Sequence, residues 1–443
     1  MGAPWWAPSA RRCARPTLPA SRVRGIGLTG QMHGLVLLDQ DLAPQRPAII
    51  WMDRRSANLC PIVMDRVPHD VMLRTAGNRL SPGFAGASLA WLHEVEPRAL
   101  GTGPRRHPAQ GFRRPVPDRR DQQRAERRLG HVAAHDIARR EWSPTLADAC
   151  GVPLDILPPV SESADVVGTL RAEAAFALGL PEGIPVVAGA ADQAALLLGV
   201  GVVESGRGSI TLGTGGQLTV VTNRPWIDPE MRLNTFCHAL PGHWYTMGAI
   251  LNGGTPCAGG ETPCRPACPI TTCWPGRRTC PPVQKGWSSC RIWKASAPPH
   301  MDPQATGAFT GLTTRHTQAH LTRAVLEGVA FAFRDCLQIL QAAGASARSF
   351  PDRRGGSQGE LWRRILADVL GVSLQTIEGA EHTATGAAML AGLGTHVFYD
   401  LPQAVATSVR YGPTLMPDPD AHAIYTDAFA QYQALYPALR AAQ

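Results

Sequence analysis

Two textures alternate along the chain: short apolar runs that stop at glycine, and longer stretches whose apolar positions return every three or four residues. The densest patterning lies over 184–216, IPVVAGAADQAALLLGVGVVESGRGSITLGTGG. Here 185–188 predicts a strand closed by Gly189, and 209–212 predicts another closed by 213–216. Between them, 194–199 is small and apolar and could open a helix or close a domain. The same reading predicts strands over 23–29, 35–39, 47–51, 218–222, 235–239 and 244–248, with turns over 30–34 and 77–80. It predicts helices over 88–94, 319–340, 360–370 and 383–393, and a strand followed by an amphipathic helix over 166–178. In the helix over 319–340, Leu321, Val325, Val329, Phe333, Leu337 and Leu340 share one face. Two stretches, 103–134 and 255–297, follow neither period.

Candidate chemistry gathers at the ends of the strands. Asp192 follows the run 185–188 almost at once, and an acid there is poorly placed for packing. At a strand's carboxyl end it would face a ligand crevice. It could equally cap the helix that opens near Ala194. The turn Gly213-Thr214-Gly215-Gly216 could offer backbone N–H groups to phosphate oxygens or be a plain hairpin turn. Gln31, Met32 and His33, at the end of the run 23–29, could line a polyol pocket, since an imidazole both donates and accepts. A satisfied loop histidine is the other reading. Asp53 and Arg54 read as a local ion pair of little energetic weight, and Trp91 reads as core.

Composition narrows the classes. The 443 residues suffice for two or three domains, and 44% are hydrophobic. No apolar run reaches the roughly 20 residues of a membrane span, and no signal-peptide pattern opens the text, so a cytoplasmic protein is expected. The net charge of +8 comes mostly from residues 105–128, where nine arginines face three acids. The skew of 41 arginines to two lysines suggests GC-rich codons rather than a phosphate-binding face. Six of the eleven cysteines fall between Cys257 and Cys290 without a C-x-x-C pair, which supports zinc weakly.

The patterned segments together resemble the FGGY carbohydrate kinases. The matching text is GIGLTGQMHGLVLLD, RPAIIWMDRRS, GNRLSPGF, DIARREWS, VPLDILPPV, the long stretch from Ile184, ITLGTGGQ, LNTFCHALPGHWYTMG, HLTRAVLEGVAFAFRD, GGSQGELWRRILADVLG and EHTATGAA. The resemblance covers about two thirds of the chain in the family's order. It implies an α/β fold of two actin-like (ribonuclease H-like) ATPase domains around a cleft: a sugar-binding domain over 1–199 and a nucleotide-binding domain over 200–443. It implies ATP-dependent phosphorylation of a ketopentose such as D-xylulose, with Mg²⁺, Asp192 as general base, and Gln31, Met32, His33, Asp192 and Gln193 on the sugar. Gly213, Thr214 and Gly215 match the second phosphate loop. Gly355, Gly356 and Ser357 match the adenosine turn, with Glu360 and Trp362 on the helix after it. The implied partner is a small-molecule sugar, with no nucleic acid or membrane, and a homodimer is compatible with the resemblance.

The departures are equally specific. The family's first phosphate loop, an Asp-x-Gly-Thr hairpin, is not found in this text, so the N-terminal domain is expected to be incomplete. Ala190 and Ala191 stand where glycines are usual, and Gly215 where serine is common. Residues 255–297 read as out of frame: codons for the residues from Cys290 to Ala297 can be chosen so that the neighbouring frame spells Leu-Pro-Tyr-Leu-Glu-Gly-Glu-Arg, which is family-like. Residues 103–134 can hide family text in the same way. The expectation is therefore a truncated, frame-shifted copy of such a kinase, of low stability and little activity. Two alternatives remain: a catalytically inactive relic, and a basic nucleic-acid or zinc-binding module built on 105–128 and the cysteine cluster.

Overall fold

The computed structural model describes residues 19–38, 44–101, 107–108, 135–212, 215–250, 289–290, 298–300, 302, 307–342, 344–345, 347, 349–353, 359–379 and 381–441. Both unpatterned stretches, the frame-shift reading and the nucleic-acid and zinc reading built on them fall almost wholly outside this set. In chain order the elements that matter are β1 (Thr29–Gly30), β2 (Leu35–Val36), α1 (Ala85–Val95), β3 (His135–Asp136), β4 (Glu141–Trp142), β5 (Val166–Thr169), β6 (Pro185–Val187), β7 (Ala190–Ala191) and α2 (Asp192–Gly199). They continue with β8 (Gly208–Leu212), β9 (Gly216–Thr222), β10 (Asn234–Cys237), β11 (Trp244–Ile250), α3 (Gln318–Ala342), β12 (Ser349–Arg353), α4 (Glu360–Leu370), β13 (Ser373–Ile377), α5 (His382–Gly394), β14 (Tyr411–Leu415) and α6 (Pro419–Arg440).

The chain forms two compact units. The first comprises Met1–Val203, Phe236–Trp244 and Glu381–Val409; the second comprises Glu204–Thr235, Tyr245–Ala380 and Arg410–Gln443. In the first unit β1 pairs in parallel with β7, Thr29 opposite Ala190 and Gly30 opposite Ala191. β5 pairs antiparallel with β6, and Ile26 bridges to Val186 in parallel. The strand expected over 23–29 survives as the Ile26–Val186 bridge and as Thr29 in β1, and that expected over 47–51 shrinks to one bridge, Ile49 with Leu35.

Small residues explain how tightly this unit closes. A methyl group at Gly27 would lie 1.9 Å from the Ala387 carbonyl oxygen, one at Gly199 would lie 1.9 Å from that of His382, and one at Gly386 would lie 1.8 Å from that of Ala195. The backbones of α2 and α5 therefore touch, which only glycine permits. That contact draws α5 into the first unit although the preceding strand, β13, belongs to the second.

The second unit holds most of a seven-stranded mixed sheet ordered β10-β11-β9-β8-β12-β13-β14. β8 pairs antiparallel with β9 and parallel with β12; β12 and β13 are parallel, and β13 and β14 antiparallel. Ile210, Leu218, Phe333, Phe350, Ile365, Leu366 and Leu374 are buried with Tyr425 and Phe429 in one core. The stripe on α3 supplies its share: Val329, Phe333, Leu337 and Leu340 belong to this core, and Val325 is buried as well. Inside this unit Arg323 Nε donates to Glu327 Oε1 at 2.7 Å, and the Tyr425 hydroxyl donates to the same oxygen at 2.8 Å. No helix among the described residues is long and apolar enough to cross a membrane.

One buried acid makes the second unit's stability depend on pH. Asp335 on α3 is 4% exposed and accepts a 2.9 Å hydrogen bond from Gln433 Nε2 on α6. Burial pushes its carboxyl up to about 7, against the pull of Gln433 and Arg334. A carboxyl raised in the folded state stabilises fully below its unfolded value of 3.8, and the contribution is lost as pH rises to about 7. Wild-type stability should fall across that window by on the order of 2–4 kcal/mol. Asp335→Asn should keep the Gln433 bond and remove the fall. Thermal melts at pH 5 and pH 8 check this, and an equal fall in both proteins would assign the effect elsewhere.

Candidate functional site

The parallel pairing of β1 with β7 sets the site. Residues Gln31, Met32 and His33 leave the carboxyl end of β1, and Asp192 leaves the carboxyl end of β7. Two motifs about 160 positions apart thus emerge side by side at the edge where open α/β sheets bind ligands. The Met32 N–H donates to Asp192 Oδ1 at 3.3 Å, and the Gln193 N–H donates to the same oxygen at 2.8 Å. Both bonds fall on Oδ1.

Asp192 is the first residue of α2 and not its cap. Ala191 holds the cap position, and no side chain caps this helix. The helix-cap reading is thereby corrected: the carboxylate bonds its own neighbour and the β1 turn instead of the N–H groups further into the helix. Burial raises the Asp192 carboxyl above its ordinary value, and the Gln193 and Met32 N–H groups partly oppose it. Gly189 makes the approach possible. It has φ +80°, and a Cβ there would sit 1.9 Å from the Leu28 carbonyl oxygen. Beside the acid, Gln193 is 5% exposed and its Nε2 is buried without a hydrogen-bond partner. An unpaired buried donor costs about 1–3 kcal/mol, and a bound polyol oxygen would relieve it.

The turn after β1 carries its own constraint. His33 has φ 61°, a left-handed conformation uncommon outside glycine. Its ring stacks on Phe84 with centroids 4.2 Å apart and planes 14° apart, and Phe236 lies 5.6 Å away, tilted by 53°. Met32 is buried and Gln31 half-buried. His33 thus lies in a turn, as both readings of it allow, with its ring held in an aromatic cluster of the first unit.

The segment bearing Phe236 is pinned by Arg140. Its Nη2 donates to the His238 carbonyl at 2.7 Å and to the Leu240 carbonyl at 3.2 Å, and Nη1 reaches the latter at 3.2 Å. Its guanidinium lies 5.6 Å from the Trp244 ring centroid, and the Trp244 indole N–H donates to the Ile137 carbonyl at 2.7 Å. His238 is fully enclosed: Nδ1 accepts from the Leu240 N–H at 3.1 Å, and Nε2 faces the Val202 carbonyl at 3.2 Å. Burial drops its imidazole to about 3, so it stays neutral. Arg140→Ala should cost about 2 kcal/mol, and Arg140→Lys should not restore it, because one ammonium cannot reproduce the fork. Urea unfolding of the three proteins checks this.

Other expected residues sit differently. Asp53 pairs with Arg55 rather than Arg54: Arg55 Nε donates at 2.9 Å and Nη2 at 2.7 Å, because the tight turn brings the second residue on back over the carboxylate. Trp91 is half-buried rather than core, with the Arg55 guanidinium 4.9 Å from its ring centroid and that of Arg46 at 5.7 Å. Gly213, Thr214, Gly355, Gly356 and Ser357 lie outside the described residues; Gly215 and Glu360 are described, and Trp362 is buried in the core.

At the end of β8, two residues before Gly213, the Thr211 hydroxyl is buried without a partner. A polar atom orphaned there fits a strand end prepared for an oxygen-rich ligand such as a nucleotide. No group of three or more His, Cys, Asp or Glu among the described residues could hold a metal ion. Sequence reasoning missed Phe84, Phe236 and Arg140. Phe84 and Phe236 sat in quoted family text, GNRLSPGF and LNTFCHAL, but nothing local marks a ring that stacks on a residue far along the chain.

Comparison with known proteins identifies the family. The model for the N-terminal domain of the FGGY family of carbohydrate kinases matches residues 5–101 and 128–199, and that for its C-terminal domain matches 289–395. The Escherichia coli protein named xylulose kinase is 32% identical over 435 residues, covering 94% of this chain and 84% of its own. The Bacillus subtilis protein of the same name is 29% identical, covering 94% and 83%. The crystal structure of xylulose kinase from Rhodospirillum rubrum, 26% identical, superposes with a TM-score of 0.82 over 98% of this chain and 89% of its own. Fold and sequence together give the chain the two-domain actin-like ATPase architecture, and it belongs to the FGGY family of carbohydrate kinases.

Proposed function

We propose that the chain transfers the γ-phosphoryl group of ATP to a ketopentose, converting D-xylulose to D-xylulose 5-phosphate. The observation that carries this reading is the 3.3 Å bond from the Met32 N–H to Asp192 Oδ1, which joins the two strand ends into one sugar-facing edge. The choice of D-xylulose rests on the names of the relatives in Escherichia coli and Bacillus subtilis. In this reading residues 1–199 supply the sugar-binding half and 200–443 the nucleotide-binding half.

Asp192 acts as general base. Its Oδ2 takes the proton of the sugar's C5 hydroxyl as that oxygen attacks the γ-phosphorus. The new P–O bond forms while the bond to the bridging β–γ oxygen breaks, and ADP leaves with those electrons. Burial makes the ionised carboxylate a stronger base than a solvated aspartate. The N–H groups on Oδ1 fix the direction of Oδ2. Gln31, Met32, His33 and Gln193 bind and orient the sugar, which brings proximity to a reaction that is mostly positioning. Gly213, Thr214 and Gly215, with Gly355, Gly356 and Ser357, would hold the nucleotide. Mg²⁺ would neutralise phosphate charge, without a protein cage of its own among the described residues.

The test is ADP release measured across D-xylulose, D-ribulose, gluconate and glycerol. D-xylulose should give the highest kcat/KM. A higher value for another sugar would reassign the substrate, and release indifferent to every sugar would overturn the reading.

A further inference from the structure

We infer that Phe84 and Phe236 are positioning residues, which fix the plane of the His33 imidazole and with it the directions in which its ring nitrogens meet the sugar. The inference rests on the sugar-site reading above and adds two residues to it. An imidazole donates and accepts only in its own plane, so its use in recognition depends on how that plane is held. Phe84 covers one ring face at 4.2 Å and 14°, a stacked geometry. Phe236 leans on the same ring at 5.6 Å and 53°, and the two phenyl rings lie 6.3 Å apart, so the three rings form a closed triangle. Turning the imidazole would break both contacts.

The supports of the triangle are themselves restrained. The Ser56 hydroxyl donates to the Pro82 carbonyl at 2.8 Å, and a Cβ at Gly83 would lie 2.0 Å from the Trp51 carbonyl oxygen, so the backbone leading into Phe84 is tightly seated. Phe236 is 2% exposed, and the next residue, Cys237, points its thiol at the Ile137 carbonyl, 3.6 Å away. Beyond it the Arg140 fork holds the His238 and Leu240 carbonyls. On the other side, the residue before His33 binds Asp192 through its N–H. The ring plane and the base are thus referenced to one four-residue turn. Neither phenyl ring needs to touch the sugar for this to operate.

The test is calorimetric binding of D-xylulose and of ATP, measured separately on the full chain so that turnover is not required, with thermal melts alongside. Phe84→Leu keeps apolar volume and loses the flat face. It should weaken D-xylulose binding about 3- to 10-fold while leaving ATP affinity unchanged. Phe84→Tyr should return sugar affinity to within about twofold, since its ring stacks alike. Unchanged sugar binding in Phe84→Leu, or equal weakness in Phe84→Tyr, would overturn the inference; so would a parallel loss of ATP affinity, which marks general unfolding. If His33→Ala weakens sugar binding while Phe84→Leu does not, this inference alone falls. If His33→Ala binds normally, or the wild-type chain binds no D-xylulose, the sugar-site reading falls and takes the inference with it.

Discussion

Asp192→Asn should lower kcat by roughly 10²- to 10⁴-fold while leaving the sugar KM nearly unchanged. The amide can still accept at Oδ1 from Met32 and Gln193, so the strand ends stay joined. What it cannot do is take a proton. The sign of the stability change separates chemistry from folding. Burial raises the carboxyl in the folded state, so ionised Asp192 costs stability at every pH above its unfolded value of 3.8. The neutral amide removes that cost, and the melting temperature at pH 7.5 should hold or rise. Steady-state kinetics with a melt on the same sample decides it. A kcat loss accompanied by a lowered melting temperature would mean that the carboxylate was structural.

Gly386→Ala should destabilise the first unit by about 3 kcal/mol or more, against the helix propensity that favours alanine by about 1 kcal/mol. The added methyl would lie 1.8 Å from the Ala195 carbonyl oxygen, 2.7 Å from its carbon and 3.0 Å from the Gly199 nitrogen. These are backbone atoms, so no side-chain rotation relieves the clash and the two helices must part. Because α2 begins at Asp192, parting them also moves the base, and kcat should fall with stability. Ala384, exposed on the same helix, is the control. Ala384→Gly should cost only about 1 kcal/mol and leave kcat alone. Urea midpoints for both variants check the contrast; a Gly386→Ala protein as stable as wild type would show that the backbones do not meet.

Where periodicity is long, the fold was readable: the stripe from Leu321 to Leu340 predicts a helix over 319–340, and α3 runs Gln318–Ala342. Four strands of the second unit's sheet, β8 to β11, were equally plain, since each run is largely apolar and bounded by turns; β12, β13 and β14 were not read, because SFPDR, SLQTI and YGPTL mix polar residues and proline into short runs. The first unit was less legible. The run 23–29 keeps only the Ile26 bridge and Thr29 of β1, because Gly25 and Gly27 serve the close approach of the segment around α5 rather than a long ladder, and 47–51 keeps only the Ile49 bridge. At the site, Asp192, Met32 and His33 stood out by residue type and family likeness. Their meeting did not, because it depends on Gly30 pairing with Ala191. The rings of Phe84 and Phe236 and the fork of Arg140 act through segments equally remote, so no local pattern announces them.

The central claim, a sugar kinase working through Asp192, is tested most directly by following phosphorus NMR spectra of the chain with ATP, Mg²⁺ and D-xylulose. A new sugar phosphomonoester should grow in step with ADP, and the same mixture with Asp192→Asn should show almost none. Equal phosphomonoester from the variant, or ATP consumed only to inorganic phosphate whether or not sugar is present, would contradict the account.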